Sequence, residues 1–273
     1  MDAALSAVRE ATLADLAEGT PDARYIDLFK VKYDYHNVKA LLKAEAVGTA
    51  PDRMLMDMGR VSTAELAEAV RSRELDGLPE TLAAAVVEAR EVLDTTRDPQ
   101  LSDIVLDRWC YRDMAALAEE TGSAFLRGYV AVQVDAVNLR TAVRTLRMGK
   151  GADFLLGALL EGGDLAPDAV AKAASSGAAG LRELYGATRF RDAAEAGAEA
   201  LKGGPLTAFE KLCDDAVGDY LAGAQSVPFG EAPLVSYLAA RETEYTNLRI
   251  LLMGRAAGID PAVIRTRLRA SYV

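Results

Sequence analysis

One pattern is written three times in this chain, and it limits what the chain can fold into. It reads "DYHNVKALLKAEAVG" at 34–48, "DAVNLRTAVRTLRMG" at 135–149 and "EYTNLRILLMGRAAG" at 244–258. In each copy an acid (Asp34, Asp135, Glu244) stands three residues before an asparagine (Asn37, Asn138, Asn247). An aliphatic residue follows at once, then a base (Lys39, Arg140, Arg249), and a glycine closes the stretch at +11 (Gly48, Gly149, Gly258). Five matched positions in three copies without a gap mark an internal duplication. The glycines stand where a helix C-terminus favours them.

A second anchor gives the extent of the repeat. "GRVSTAELAEAV" from Gly59 aligns with "GDLAPDAVAKAA" from Gly163, each opening a new helix. The distance from this glycine to the next asparagine is 79 residues in one copy and 84 in the other. Only 36 residues precede Asn37, so the first unit is expected to be short by about 45 residues. The expected units are 1–58, truncated at its front, then 59–162 and 163–273.

The fold class expected is all-α. Alanine, leucine, glutamate and arginine dominate, with apolar residues at three- and four-residue spacing. Leu82, Val86 and Leu93 share one side of a helix in "PETLAAAVVEAREVLDTT". Ser62–Glu65 reads as a capping box, and Asp260-Pro261 as an N-cap with proline at the first helical position. Alternating β-runs are missing, and the one Asp-Gly pair, Asp76-Gly77, separates two helical patterns.

On a helical wheel the aliphatic positions +1 and +5 mark the buried side. The acid falls inside that arc, the asparagine at its edge and the base beyond the other edge. Two readings stay open. The acid and asparagine fix helix register against a helix of the same or a neighbouring unit, or they form a polar interior surface that meets another protein. Charge is segregated as well: the net charge is +2 over 30–45, +4 over 123–150 and +3 over 240–273, in a chain of net charge −10. A shared basic surface, carried by Lys39, Arg140 and Arg249 as partner contacts, is the hypothesis this supports.

Catalytic constellations are not found. His36 is the only histidine, so no two-histidine metal site can be built, and it reads as a packing or hydrogen-bonding residue. "RMGKGADF" lacks the earlier glycine and the following Ser/Thr of a phosphate-binding loop and reads as a helix-ending turn. Gly203-Gly204-Pro205 reads as a linker. "SVPFGEAPLVSYL" (226–238) is either a bend that packs Phe229 on a helix end or an exposed docking loop. Cys110 and Cys213 form no spacing pattern and read as buried thiols in a reducing compartment. No catalytic, cofactor-binding or metal residue is expected. The net negative charge argues against nucleic acid, which needs cations to displace counterions. No apolar run is long enough to span a membrane, and no signal-peptide pattern opens the chain.

"DLFKVKYDYHNVKALLKAE", "DPQLSDIVLDR", "VPFGEAPLVSYLAARETEYTNLRILLMGRAAGI" and "IRTRLRASYV" resemble the C subunit of the prokaryotic V/A-type ATP synthases, counterpart of the d subunit of vacuolar ATPases. The resemblance covers essentially the whole chain, without the family's N-terminal helices. It implies a funnel of three helical bundles about a pseudo-three-fold axis, cytoplasmic and peripheral to the membrane. It also implies a non-catalytic rotor part, seated on the membrane rotor ring of proteolipid subunits and receiving the foot of the central shaft. Such a part passes torque for ATP-coupled ion transport. The alternatives are a helical-repeat adaptor of another complex, or an all-α enzyme or ligand-binding protein with a site between bundles. Lacking its first helices, unit one is expected to expose apolar surface around Leu28, Phe29 and Leu41, open to non-native dimerisation.

Overall fold

The computed structural model describes residues 2–51 and 54–270. Among them are thirteen α-helices, one short 3-10 turn and no strand, so the fold is all-α. Helix α1 (Asp2–Gly19) opens the chain, which divides into two compact bodies, Glu10–Gly122 and Met1–Arg9 with Ser123–Val273.

The first body is built on α2 (Arg24–Val47), α3 (Thr63–Ser72), α4 (Glu80–Thr96) and α5 (Pro99–Glu120). Helices α4 and α5 form a tight hairpin, with Asp98 capping the start of α5 through Gln100 N–H at 2.8 Å. Helix α2 lies against α5. Ser62 caps the start of α3 by accepting from Glu65 N–H, and its hydroxyl donates to the Glu65 carboxylate, so that carboxylate meets the Ser62 hydroxyl in place of the backbone N–H of the expected capping box.

The second body contains α6 (Ala124–Arg147), α7 (Ala152–Ala158), α8 (Pro167–Ser175), α9 (Gly177–Tyr185), α10 (Arg191–Leu201), α11 (Leu206–Ala222), α12 (Glu231–Ala256) and α13 (Pro261–Arg267). Here α10 and α11 form the hairpin and α6 lies against α11, so the arrangement of the first body recurs. Gly203-Gly204-Pro205, expected as a linker, is the turn between α10 and α11, tied back by Gly204 N–H to Glu199 O at 3.2 Å. At the other end of the body Arg9 of α1 pairs with Glu242 of α12 at 2.7 Å.

Helices α5 and α11 bury the same register. Leu106, Cys110, Met114 and Ala118 on one match Phe209, Cys213, Val217 and Leu221 on the other, each series stepping by four along a single helix face. The two cysteines thus occupy equivalent buried positions, and burial pushes the Cys213 thiol up to about 12. A thiol held so far from ionisation is inert.

The three motif helices α2, α6 and α12 end alike. Gly48, Gly149 and Gly258 all sit at φ 67°, the left-handed region. In each case the next N–H reaches back to a carbonyl five residues earlier: Thr49 to Ala44, Lys150 to Thr145, Ile259 to Gly254, at 2.9–3.1 Å. A side chain at this φ is strained, so Gly149→Ala is expected to cost about 1 kcal/mol in urea denaturation, with the helix content unchanged by circular dichroism.

Candidate functional site

The asparagine of the motif is a peptide surrogate. A primary carboxamide presents an acceptor and a donor side by side, which complements the N–H and C=O of a single backbone residue. Asn37 donates from Nδ2 to Met56 O and accepts from Met56 N–H, both at 2.8 Å. Asn138 does the same with Leu160, both at 2.8 Å. Asn247 does it with Arg269, at 3.1 and 2.8 Å. In every copy a buried or half-buried amide thereby grips the chain that follows the helix. Aspartate at this place has no donor, and alanine has neither group.

The acid grips the same returning segment a few residues later. Asp34 Oδ1 accepts from Arg60 N–H at 2.9 Å and Val61 N–H at 3.2 Å. Asp135 accepts from Asp164 and Leu165 N–H, both at 3.2 Å. The glycine just before each donor pair leaves room for the carboxylate. A Cβ on Gly59 would collide with Asp34 Oδ1 and lie 3.1 Å from its Cγ, and one on Gly163 would meet Asp135 in the same way. Glu244 departs from the pattern: it is half-exposed and pairs with Arg241 one turn back on its own helix.

The two buried acids sit in different electrostatic settings. Arg60 reaches Asp34 with Nε at 2.8 Å and Asp113 with its two terminal nitrogens at 3.1 and 2.6 Å, and Tyr35 donates to Asp113 at 3.1 Å. The second copy has Asp164 in place of Arg60, Ala216 in place of Asp113 and Ala136 in place of Tyr35. Burial raises the Asp34 carboxyl, but the Arg60 guanidinium opposes it. Burial raises Asp135 to about 6, opposed only by the N–H groups of Leu165 and Asp164. Tyr185 of α9 is raised as well, by burial and then by the charge of Asp135.

The bases at +2 are also placed. Lys39 donates to Asp107 of α5 at 2.5 Å. Arg140 pairs with Glu210 of α11 at 3.0 Å and with Asp214. Both side chains are therefore engaged inside their own bodies; Arg249 of α12 is exposed and also has a partner. Sequence spacing did not reveal Asp107 and Glu210, which stand three residues before the two equivalent cysteines. His36 meets Met54 O through Nε2 at 3.0 Å. Phe229 does not pack on a helix end: it is 86% exposed, beside Gly230 at φ 91°. Leu28, Phe29 and Leu41, expected to be exposed, are buried, because α3, α4 and α5 cover α2 within the body. Among the described residues no three acidic, histidine or cysteine side chains cluster as for a metal. Nor is any described helix long and apolar enough to cross a membrane.

These features define a class of repeat-built, all-helical protein in which buried polar side chains fix the chain after each motif helix. The chain belongs to the ATP synthase (C/AC39) subunit family, whose model matches residues 1–267. It is 25% identical over 277 residues to the C subunit of the V-type sodium ATPase of Enterococcus hirae, covering 99% of this chain and 82% of that protein. It is 27% identical over 255 residues to the C subunit of the V-type ATP synthase of Thermus thermophilus, covering 88% and 72%. Against the C subunit of the A-type ATP synthase of Methanocaldococcus jannaschii the identity is 25% over 267 residues, covering 91% and 66%. The chain is thus a subunit of a V/A-type ATPase complex.

Asn138→Asp places an acceptor against Leu160 O in a fully buried site, and is expected to cost about 2–3 kcal/mol by urea denaturation. For Asp135, a raised carboxyl means that the folded protein holds the proton more tightly than the unfolded chain. Its contribution to stability is complete below the ordinary carboxylate range and is lost as pH rises through about 6. The advantage of the native protein over Asp135→Asn should therefore shrink between about pH 4 and 7, with the Asp135 carboxyl carbon titrating near 6 by NMR.

Proposed function

We propose that the chain is the adaptor between the soluble central shaft and the membrane rotor ring of a V/A-type ATPase. In this reading it is cytoplasmic, peripheral to the membrane and non-catalytic, and it transmits torque between ATP turnover and ion movement. The observation that carries it is the recurrent clamp. Each motif helix is cross-linked to its downstream segment by buried side-chain–backbone bonds, which gives the stiffness that torque transmission requires. The repeat-based units, 1–58, 59–162 and 163–273, are proposed as three pseudo-three-fold-related bundles of such an adaptor.

The three basic positions take different parts in this proposal. Lys39 and Arg140 brace α2 and α6 against acids of α5 and α11. Arg249 and the exposed Phe229 loop are the outward contacts. Capture of the full chain by detergent-purified ring, and separately by soluble shaft proteins, tests the role. Arg249→Glu or Phe229→Ser is expected to weaken capture by about tenfold at unchanged Tm, a difference of about 1.4 kcal/mol in binding. If the native chain is retained by neither ring nor shaft, the adaptor role is wrong.

A further inference from the structure

Where the two bodies repeat one another, they differ by one helix. From α8 the chain runs on into α9, which packs against both α8 and α10. From α3 it turns off at Arg73, in the left-handed region at φ 64°, and enters α4 directly after the stretch 73–79. The helices α4 and α10 are otherwise matched: Leu82, Ala85, Val86 and Ala89 are buried at the spacing of Phe190, Ala193, Ala194 and Gly197. In that register Val87 and Glu91 of α4 correspond to Glu195 and Glu199 of α10, and Arg182 of α9 pairs with these two at 2.8 and 3.4 Å. Leu181 and Tyr185, one turn apart, are the buried side of α9. Gly180 lets it close on α8, since a Cβ there would collide with Ala173 O.

In the first body the corresponding place is an open groove of about 340 Å³ between the turn after α3 and α4. Its apolar lining is Leu75, Val86 and Val87, the last 56% exposed. Arg90 also lines it, but is held by Glu45 at 3.0 Å and Val70 O at 2.6 Å. The remaining charges, Arg73, Glu91 and Asp94, are exposed and form no ion pair among the described residues. Glu91 and Asp94 therefore offer a base the place that Glu195 and Glu199 give to Arg182 in the second body. Arg73 does the same for an acid. A helix preceding α1 does not compete for this groove: its counterparts in the repeat, α3 and α4 or α8 and α10, lie on the motif helix of the unit before. The α9 of a second copy is held within its own body.

The groove is thus the seat of an α9-like helix, and this chain leaves it empty in the first body while filling it in the second.

We propose that the groove on α4 is a docking site for a short amphipathic helix of another protein, one that carries an apolar pair one turn apart and a base beside it, as α9 does. The probe is a lactam-bridged helical peptide of residues 176–186, added to the full chain and followed by fluorescence anisotropy and methyl NMR. Expected are saturable binding that salt weakens, and shifts at Leu75, Val86 and Val87. Val87→Asp and Glu91→Arg change exposed side chains, and each should lower peptide affinity about tenfold or more at unchanged Tm. A peptide carrying Arg182→Glu should bind the native chain about tenfold more weakly and regain affinity for the Glu91→Arg chain. Absence of saturable binding, or equal affinity for native and variant chains, overturns the proposal. So do shifts confined to α8 and α10, which mean that the peptide has only replaced the resident α9. A concentration-dependent dimer in sedimentation that Val87→Asp abolishes overturns it too, by giving the groove to a second copy.

Discussion

The structure depends on a polar side chain buried in a helix and satisfied by backbone that arrives much later in sequence. An unmet buried amide or carboxylate costs about 1–3 kcal/mol, so the returning segment has little freedom over where it passes. Asp34 holds the N–H groups of Arg60 and Val61, immediately before Ser62 caps α3. Asp135 holds Asp164 and Leu165, immediately before Ala166 begins α8. The start of the next helix is thereby set by the helix before it. Packing of α5 and α11 on the same motif helices then follows a single register, as the matched buried series of the two helices indicate.

Much of this was legible in the sequence, for reasons that can be stated residue by residue. The recurrence of Asp34, Asp135, Asn37 and Asn138 on the apolar side of a helix pointed to buried polar groups, and Gly59 and Gly163 stood out as a second anchor. What a helical wheel cannot supply is the identity of the atoms facing a side chain. A partner helix was the expectation; the partners are main-chain groups of a loop. The role of the two glycines, room for a carboxylate, was invisible for the same reason. Glu244 matched the pattern by type, but its side chain lies exposed and pairs with Arg241. The exposed apolar surface was expected on α2, whose cover comes from α5, a helix about 70 residues away in sequence. On α12, by contrast, Leu251 and Met253 are exposed. Equivalence of Cys110 and Cys213 becomes visible only when α5 and α11 are compared by burial, since the residues around them differ.

The unequal surroundings of Asp34 and Asp135 limit the order in which substitutions can convert one setting into the other. At matching positions the first body holds Arg60 with Asp113 and the second holds Asp164 with Ala216. Loss of the arginine first would leave Asp34 and Asp113 buried without a counter-charge, a step that costs about 3–5 kcal/mol. Loss of the second acid first leaves Arg60 facing Asp34 alone, a matched pair. The passable route between the two forms, in either direction, goes through an intermediate that keeps the arginine and lacks the second acid. A descendant with the acid but no arginine should be the rarest form of this unit.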